Sequence, residues 1–258
     1  MNLGKAFENK ARYISGIFML VVLCSIFSIA SIGQVFLDNG IVSSDSLWVH
    51  PYLDSIIPVG FLTLLYVAYG LDMMNLSRKA VKKNKSGDYA FWLSILMMFA
   101  GLISLMMLTD LSNLLPEGTS LNDFIFALII TVGLADTGAY ISGKSLANPT
   151  SAKLAPLLSP NKTWIGAIGG LIFASVGFVL IDIVFMSLPI ALAFVLALIV
   201  AAFSIFGDLM QSQSKRIAEV DDSANLIPGH GGITDRIDGI VLGVIVGIMT
   251  LYSYSVIV

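Results

Sequence analysis

PIALAFVLALIVAAFSIFGDLMQSQSKRIAEVDDSANLIPGHGGITDRIDGIVLGVIVGIM, residues 189–249, decides the reading of this chain. Two apolar runs of spanning length flank one polar loop, Gly207 to Gly239. The loop holds six of the 17 acidic residues, three of the 14 basic residues and one of the two histidines. In a chain that is 57% hydrophobic and only 12% charged, that concentration marks a site rather than an ordinary surface. About 20 apolar residues cross a bilayer as a helix. The flanking runs therefore predict helices in lipid, and the loop predicts a polar site at a membrane surface.

Further apolar runs extend outward from this stretch. Spans are expected at Tyr13–Leu37, Ile56–Asn75, Tyr89–Thr109, Phe124–Gly143, Trp164–Ile181, Ile183–Phe206 (interrupted by Pro189) and Ile237–Val258. The expected fold is an all-α polytopic membrane protein with about seven transmembrane helices, the range extending to eight or nine. Soluble folds are excluded, and nothing resembles a nucleic-acid-binding domain. The single cysteine, Cys24, lies in an apolar run, which excludes a disulfide framework and a cysteine zinc site. The basic residues sort onto alternate loops: Lys5, Lys10 and Arg12; Arg78 to Lys85; Lys144, Lys153 and Lys162; Lys215, Arg216 and Arg236. The other loops carry Asp38, Asp45, Asp54, Asp110, Glu117, Asp123 and Asp182 without a Lys or Arg. The positive-inside rule then places the N-terminus and the Gly207–Gly239 loop in the cytoplasm, and the C-terminus outside. The first run is too long for a usual signal-peptide core and reads as an uncleaved anchor. Arg78 to Lys85 reads as a solvated topology determinant touching anionic head groups.

Three polar stretches gather at the expected cytoplasmic ends of the second half. ADTGAYISGK, 135–144, ends an apolar run with Asp136, a carboxylate that needs a partner, water or a cation at such depth. SPNKTWIGAIGG, 159–170, begins with an expected turn at Ser159-Pro160 and offers Lys162 and Thr163 to a phosphate. Its Gly166, Gly169 and Gly170 allow close helix approach. The third stretch is the opening loop. If its first helix continues past Asp208, then Asp208, Ser212, Lys215 and Glu219 share a face at three- and four-residue spacing. Asp235 and Asp238 share a face at the start of the last span. Hard oxygen donors at this density suit Mg²⁺, which takes one or two carboxylates together with substrate phosphates. Lys215, Arg216 and Arg236 suit the phosphates. His230 has no second histidine on that side, which argues against zinc.

Spacing here meets a known signature. SQSKRIAEVDDSANLIPGHGGITDRID, 212–238, resembles that of the phosphatidate cytidylyltransferases, also called CDP-diglyceride synthetases. The DTGAY and SPNKTW stretches resemble the same family in the expected order. The resemblance covers Phe124 to the end. It implies transfer of a cytidylyl group from CTP to phosphatidate, giving CDP-diacylglycerol and pyrophosphate for phospholipid synthesis. By resemblance, Asp208, Asp222, Asp235 and Asp238 hold Mg²⁺, with a second ion such as K⁺ allowed. Lys215, Arg216 and Arg236 act with these carboxylates on phosphates, and His230 shapes the nucleotide pocket. Asp136, Ser159, Lys162, Thr163, Ser212, Gly231 and Gly232 are the expected substrate-binding residues. The implied organisation is an N-terminal transmembrane region, 1–110, and a catalytic transmembrane region, 111–258. The implied setting is a bacterial inner membrane, with membrane lipids and a second copy of the chain as partners.

The sequence departs from the signature at Asp221, where a Lys is usual, and at Ser214, where an apolar residue is usual. Asn161 and Ile165 depart within SPNKTW. Asp221 exchanges a cation for an anion beside Asp222. It leaves open a different lipid-phosphate acceptor or a catalytically weakened paralogue. A transporter fits less well, because transporters place ionisable groups near the membrane centre and these gather at one face.

Overall fold

The computed structural model describes residues 53–83, 85–111, 115–116, 119–148, 151–220, 223 and 234–257; the side chains of 53–57, 109 and 234–236 fall outside the description. The expected first span, Tyr13–Leu37, lies outside the described residues. Six helices run through the rest: α1 Leu53–Lys82, α2 Asp88–Leu111, α3 Leu121–Ser145, α4 Trp164–Phe185, α5 Ile190–Ala218 and α6 Thr234–Ile257. All six are long and apolar enough to cross a membrane. Between α3 and α4 stands an antiparallel hairpin, β1 Lys153–Ala155 and β2 Ser159–Thr163.

The all-α architecture holds, with one short hairpin added that the sequence did not announce. Two expectations need correction. The expected turn at Ser159-Pro160 is the start of β2, and the chain reverses just before it, where the Leu158 N–H bonds the Ala155 carbonyl at 3.2 Å. The sixth span does not begin at Ile183. Residues 183–185 complete α4, whose end is tied off by Asp182: its carbonyl accepts the Met186 and Ser187 N–H groups, and its carboxylate accepts the Leu188 N–H at 3.0 Å. Ile183 to Met186 stay apolar beyond Asp182, so hydropathy alone sets the end of this helix too early. At its other end α5 continues well past Phe206. It closes at Glu219, which sits in the left-handed region at φ 51°. Glu219 N–H bonds the Arg216 carbonyl and Val220 N–H bonds the Lys215 carbonyl, the double closure of a Schellman cap.

The bundle turns apolar side chains outward and keeps many small polar ones inside. Leu64, Leu102, Ile183, Val184 and Phe185 are exposed, while Ser104, Thr131, Ser175 and Ser204 are buried. The buried hydroxyls satisfy themselves on their own helices, as Thr131 does on the Ala127 carbonyl at 2.7 Å. An apolar exterior of this extent belongs in lipid. The chain is an integral membrane protein.

Glycines set the helix spacing. A Cβ at Gly166 would stand 2.9 Å from the Ala139 carbonyl, and one at Gly170 would stand 2.6 Å from that of Ala135. On α6, Gly239, Gly243 and Gly247 repeat every fourth residue and face α5 and α3 through Ser204, Val200, Val132 and Leu128. Small residues at this spacing let helix backbones meet where lipid supplies no hydrophobic drive.

Described charge is segregated between the two ends of the bundle. At one end, Lys83 Nζ donates to the Glu219 carbonyl at 2.7 Å, Lys85 pairs with the Glu219 carboxylate at 3.2 Å, and Lys162 pairs with Asp208. At the other, Thr119 Oγ1 donates to the Met186 carbonyl at 2.9 Å, joining the α2–α3 and α4–α5 connections. The first end is therefore the basic one.

Candidate active site

Two local structures carry Lys162 to the site. The hairpin closes against α4, where the Trp164 N–H bonds the Ala152 carbonyl at 3.1 Å. Thr163 then starts α4 as its N-cap, its hydroxyl accepting the Gly166 N–H at 3.1 Å. Threonine suits this position because it satisfies one of the N–H groups orphaned at a helix start. With both neighbours fixed, Lys162 reaches α5 and places Nζ 2.8 Å from Asp208 Oδ2. Neither side chain is fully exposed, at 31% for Lys162 and 17% for Asp208.

Asp208 lies where α5 and α6 nearly touch. A Cβ at Gly207 would stand 2.7 Å from the Asp238 carbonyl, and a Cβ at Gly239 would stand 2.7 Å from Asp208 Oδ1. The Asp238 carboxylate, on α6, accepts the Gly239 N–H at 3.1 Å and lies within electrostatic reach of Asp208 and Lys215. Two carboxylates within such reach repel unless a proton or a cation compensates them. A donor pair of hard oxygens beside one ammonium fits a divalent cation that completes its shell with phosphate and water. Among the described residues no third acidic, histidine or cysteine side chain joins this pair. The further expected ligands do not bear on that: Asp222 lies outside the described residues, and of Asp235 only the backbone, in the first turn of α6, is described.

A cavity of about 550 Å³ opens beside the pair, walled by α3, the hairpin, α4 and α5. Asp136, Ser159, Lys162, Thr163 and Asp208 all line it, so five residues chosen from three separate stretches of sequence meet there. Ser212, Lys215 and Arg216 continue along α5 beyond it. Arg216 Nε donates to the Leu158 carbonyl at 3.4 Å and so braces the hairpin tip. His230, Gly231 and Gly232 lie outside the described residues, as does Asp221, and Arg236 is described in backbone only.

Sequence reasoning missed several residues. Tyr140 and Lys144 line the cavity, and Lys144 Nζ donates to the Tyr140 hydroxyl at 3.1 Å. The signal was present: Asp136, Tyr140 and Lys144 repeat every four residues and so share a helix face. The Arg78–Lys85 stretch was also underread. Its lysines bind the chain at Glu219 and Ser223 rather than only facing solvent.

Comparison with known proteins gives this geometry a family. Residues 10–254 match the family described as "Cytidylyltransferase family". A phosphatidate cytidylyltransferase of Haemophilus influenzae is 36% identical over 190 residues, covering 72% of this chain and 62% of that protein. The phosphatidate cytidylyltransferase of Brucella suis is 42% identical over 126 residues, covering 49% and 44%. That of Bacillus subtilis is 42% identical over 117 residues, covering 45% and 42%. The matched stretch thus spans from under half to somewhat under two thirds of these relatives. With a match over nearly its whole length, this chain belongs to the cytidylyltransferase family.

Proposed function

We propose that the protein transfers the cytidylyl group of CTP to phosphatidate, forming CDP-diacylglycerol and pyrophosphate at the cytoplasmic face of a bacterial inner membrane. The observation that carries this reading is the junction of Lys162, Asp208 and Asp238 beside a cavity at the basic end of a membrane-helix bundle. An anionic lipid and a water-borne triphosphate have to meet at such a boundary. The names of the similar proteins supply phosphatidate and the cytidylyl group.

In this reading a phosphate oxygen of phosphatidate attacks the α-phosphorus of CTP. The bond from that phosphorus to the oxygen bridging the β-phosphorus breaks, and pyrophosphate leaves with the electron pair. Catalysis is then positioning and charge neutralisation. Lys162, oriented by Asp208, presents its ammonium to a phosphate in the cavity. Lys215, Arg216 and Arg236 hold the remaining phosphate charge, and Ser159, Thr163 and Ser212 supply hydroxyls. His230, Gly231 and Gly232 shape the nucleotide pocket, and Asp136 closes the inner wall. Asp208 and Asp238, with Asp222 and Asp235, would hold Mg²⁺, and a second ion such as K⁺ belongs to the same proposal. When bound, the divalent ion neutralises charge on the transferring group and its leaving pyrophosphate. A homodimer is the proposed assembly.

A second reading, a different lipid phosphate as acceptor, rests on Asp221 standing where the signature has Lys. A panel of acceptors offered to the purified protein with CTP and Mg²⁺ separates the two. Phosphatidate as the preferred acceptor supports the first reading. Preference for another lipid phosphate replaces it with the second.

A further inference from the structure

α1 lies outside the signature, yet one of its faces turns toward the signature. Tyr69, Asp72, Leu76 and Lys79 are three, four and three residues apart and so line one stripe of the helix. Tyr69 is buried within electrostatic reach of Asp208 and Asp238. Asp72 accepts the Ser223 hydroxyl at 2.9 Å. Lys79, two turns on, donates its ammonium to the Ser223 backbone carbonyl. Ser223 is fully buried, although it is 151 residues from Asp72 in sequence. Four residues earlier, the Glu219 carbonyl accepts Lys83 Nζ at 2.7 Å. The chain is thus tethered on both sides of Asp221 and Asp222, at Glu219 and at Ser223.

We propose that Asp72, Lys79 and Ser223 form a latch by which α1 fixes the chain where it leaves the end of α5, the helix that carries Asp208. The three are positioning residues, not catalytic ones. An acid within an apolar helix is retained only where a partner compensates it. Here the partner is a serine hydroxyl carried just beyond the end of α5. Serine serves because its hydroxyl and its carbonyl engage two side chains of one helix face at once. The latch explains why part of the basic α1–α2 corner is bonded to protein rather than left to lipid head groups.

The latch rests on the proposed function only for its kinetic consequence, so its test reads structure first. Hydrogen exchange is followed in the full-length protein in detergent for wild type, Ser223→Ala, Asp72→Ala, the double variant and Asp72→Asn. The latch predicts exchange about tenfold faster across 219–239 in each alanine variant, the scale of one lost buried hydrogen bond. It predicts no further gain in the double variant, since both changes remove one bond. Peptides of α2 and α4 stay at wild-type rates, and Asp72→Asn, which keeps an acceptor oxygen, lies near wild type. Ser223→Ala leaves α1 intact and so stands if Asp72→Ala fails to fold. Additive effects in the double variant, equal loosening of α2 and α4, or unchanged exchange across 219–239 each overturn the latch. Loosened exchange in a protein that makes no lipid product upholds the latch and counts against the transfer reaction instead.

Discussion

Lys162 Nζ and Asp208 Oδ2 meet at 2.8 Å, joining a β hairpin between α3 and α4 to the middle of α5. The contact bridges 46 residues of sequence and forms one wall of the cavity. Removing either partner leaves the other charge without its counter-ion in a partly enclosed place. Lys162→Met is expected to lower kcat/KM by about 10²–10³-fold, the scale of losing one charge-stabilising donor. Lys162→Arg should retain more activity than Lys162→Met. Steady-state kinetics on protein that elutes as wild type from gel filtration checks both.

Gly239 tests the α5–α6 junction. An alanine there would put Cβ 2.7 Å from Asp208 Oδ1 and 3.2 Å from the Ser204 carbonyl, so Asp208 or the helix has to move. A displacement of about 1 Å at a reacting centre costs on the order of 10²-fold in rate. Gly239→Ala should therefore abolish most turnover. Gly60→Ala is the control, because nothing stands within 4 Å of its added Cβ. It should leave turnover unchanged and raise stability slightly, by about 0.5–1 kcal/mol on helix propensity. Thermal melting beside the activity assay reads both.

The α4–α5 corner gives a stability prediction away from the chemistry. Asp182 is buried and its carboxylate accepts the Leu188 N–H at 3.0 Å. Asp182→Ala leaves that N–H without a partner, which costs about 1–3 kcal/mol. Asp182→Asn keeps an acceptor oxygen and should recover most of the loss. Melting in detergent should rank wild type, Asn and Ala in that order. Activity per folded molecule should stay level.

Sidedness has its own test. With Cys24 replaced by serine, cysteines at Ser86 and at Lys153 should react with a membrane-impermeant maleimide only in inside-out vesicles. A cysteine at Ser187 should react only from the opposite side. Labelling of Ser86 and Ser187 from one side would break the proposed orientation.

Much of this fold was legible because lipid imposes a length rule. Five of the six described helices begin within three residues of the expected spans, and the sixth, α5, begins seven residues late. What hydropathy missed was polar detail inside apolar sequence. Asp182 closes a helix with its own carboxylate, and a Leu-rich turn at 156–158 folds a hairpin where no alternation announces one. In the site, Asp136, Lys162, Asp208 and Asp238 were legible as costly charges at span ends. Tyr140 and Lys144 were missed, though their four-residue spacing from Asp136 gave them away. Asp72 and Ser223 could not be paired from sequence. Their contact depends on how α1 packs against the end of α5, which no local pattern encodes.

The most direct measurement of the central claim follows labelled α-phosphate from CTP in a mixed micelle containing phosphatidate and Mg²⁺. The account predicts label in the lipid phase as CDP-diacylglycerol, with one pyrophosphate released per lipid labelled and none formed by Asp238→Asn. Intact wild-type protein that binds CTP but transfers no label to phosphatidate would contradict it.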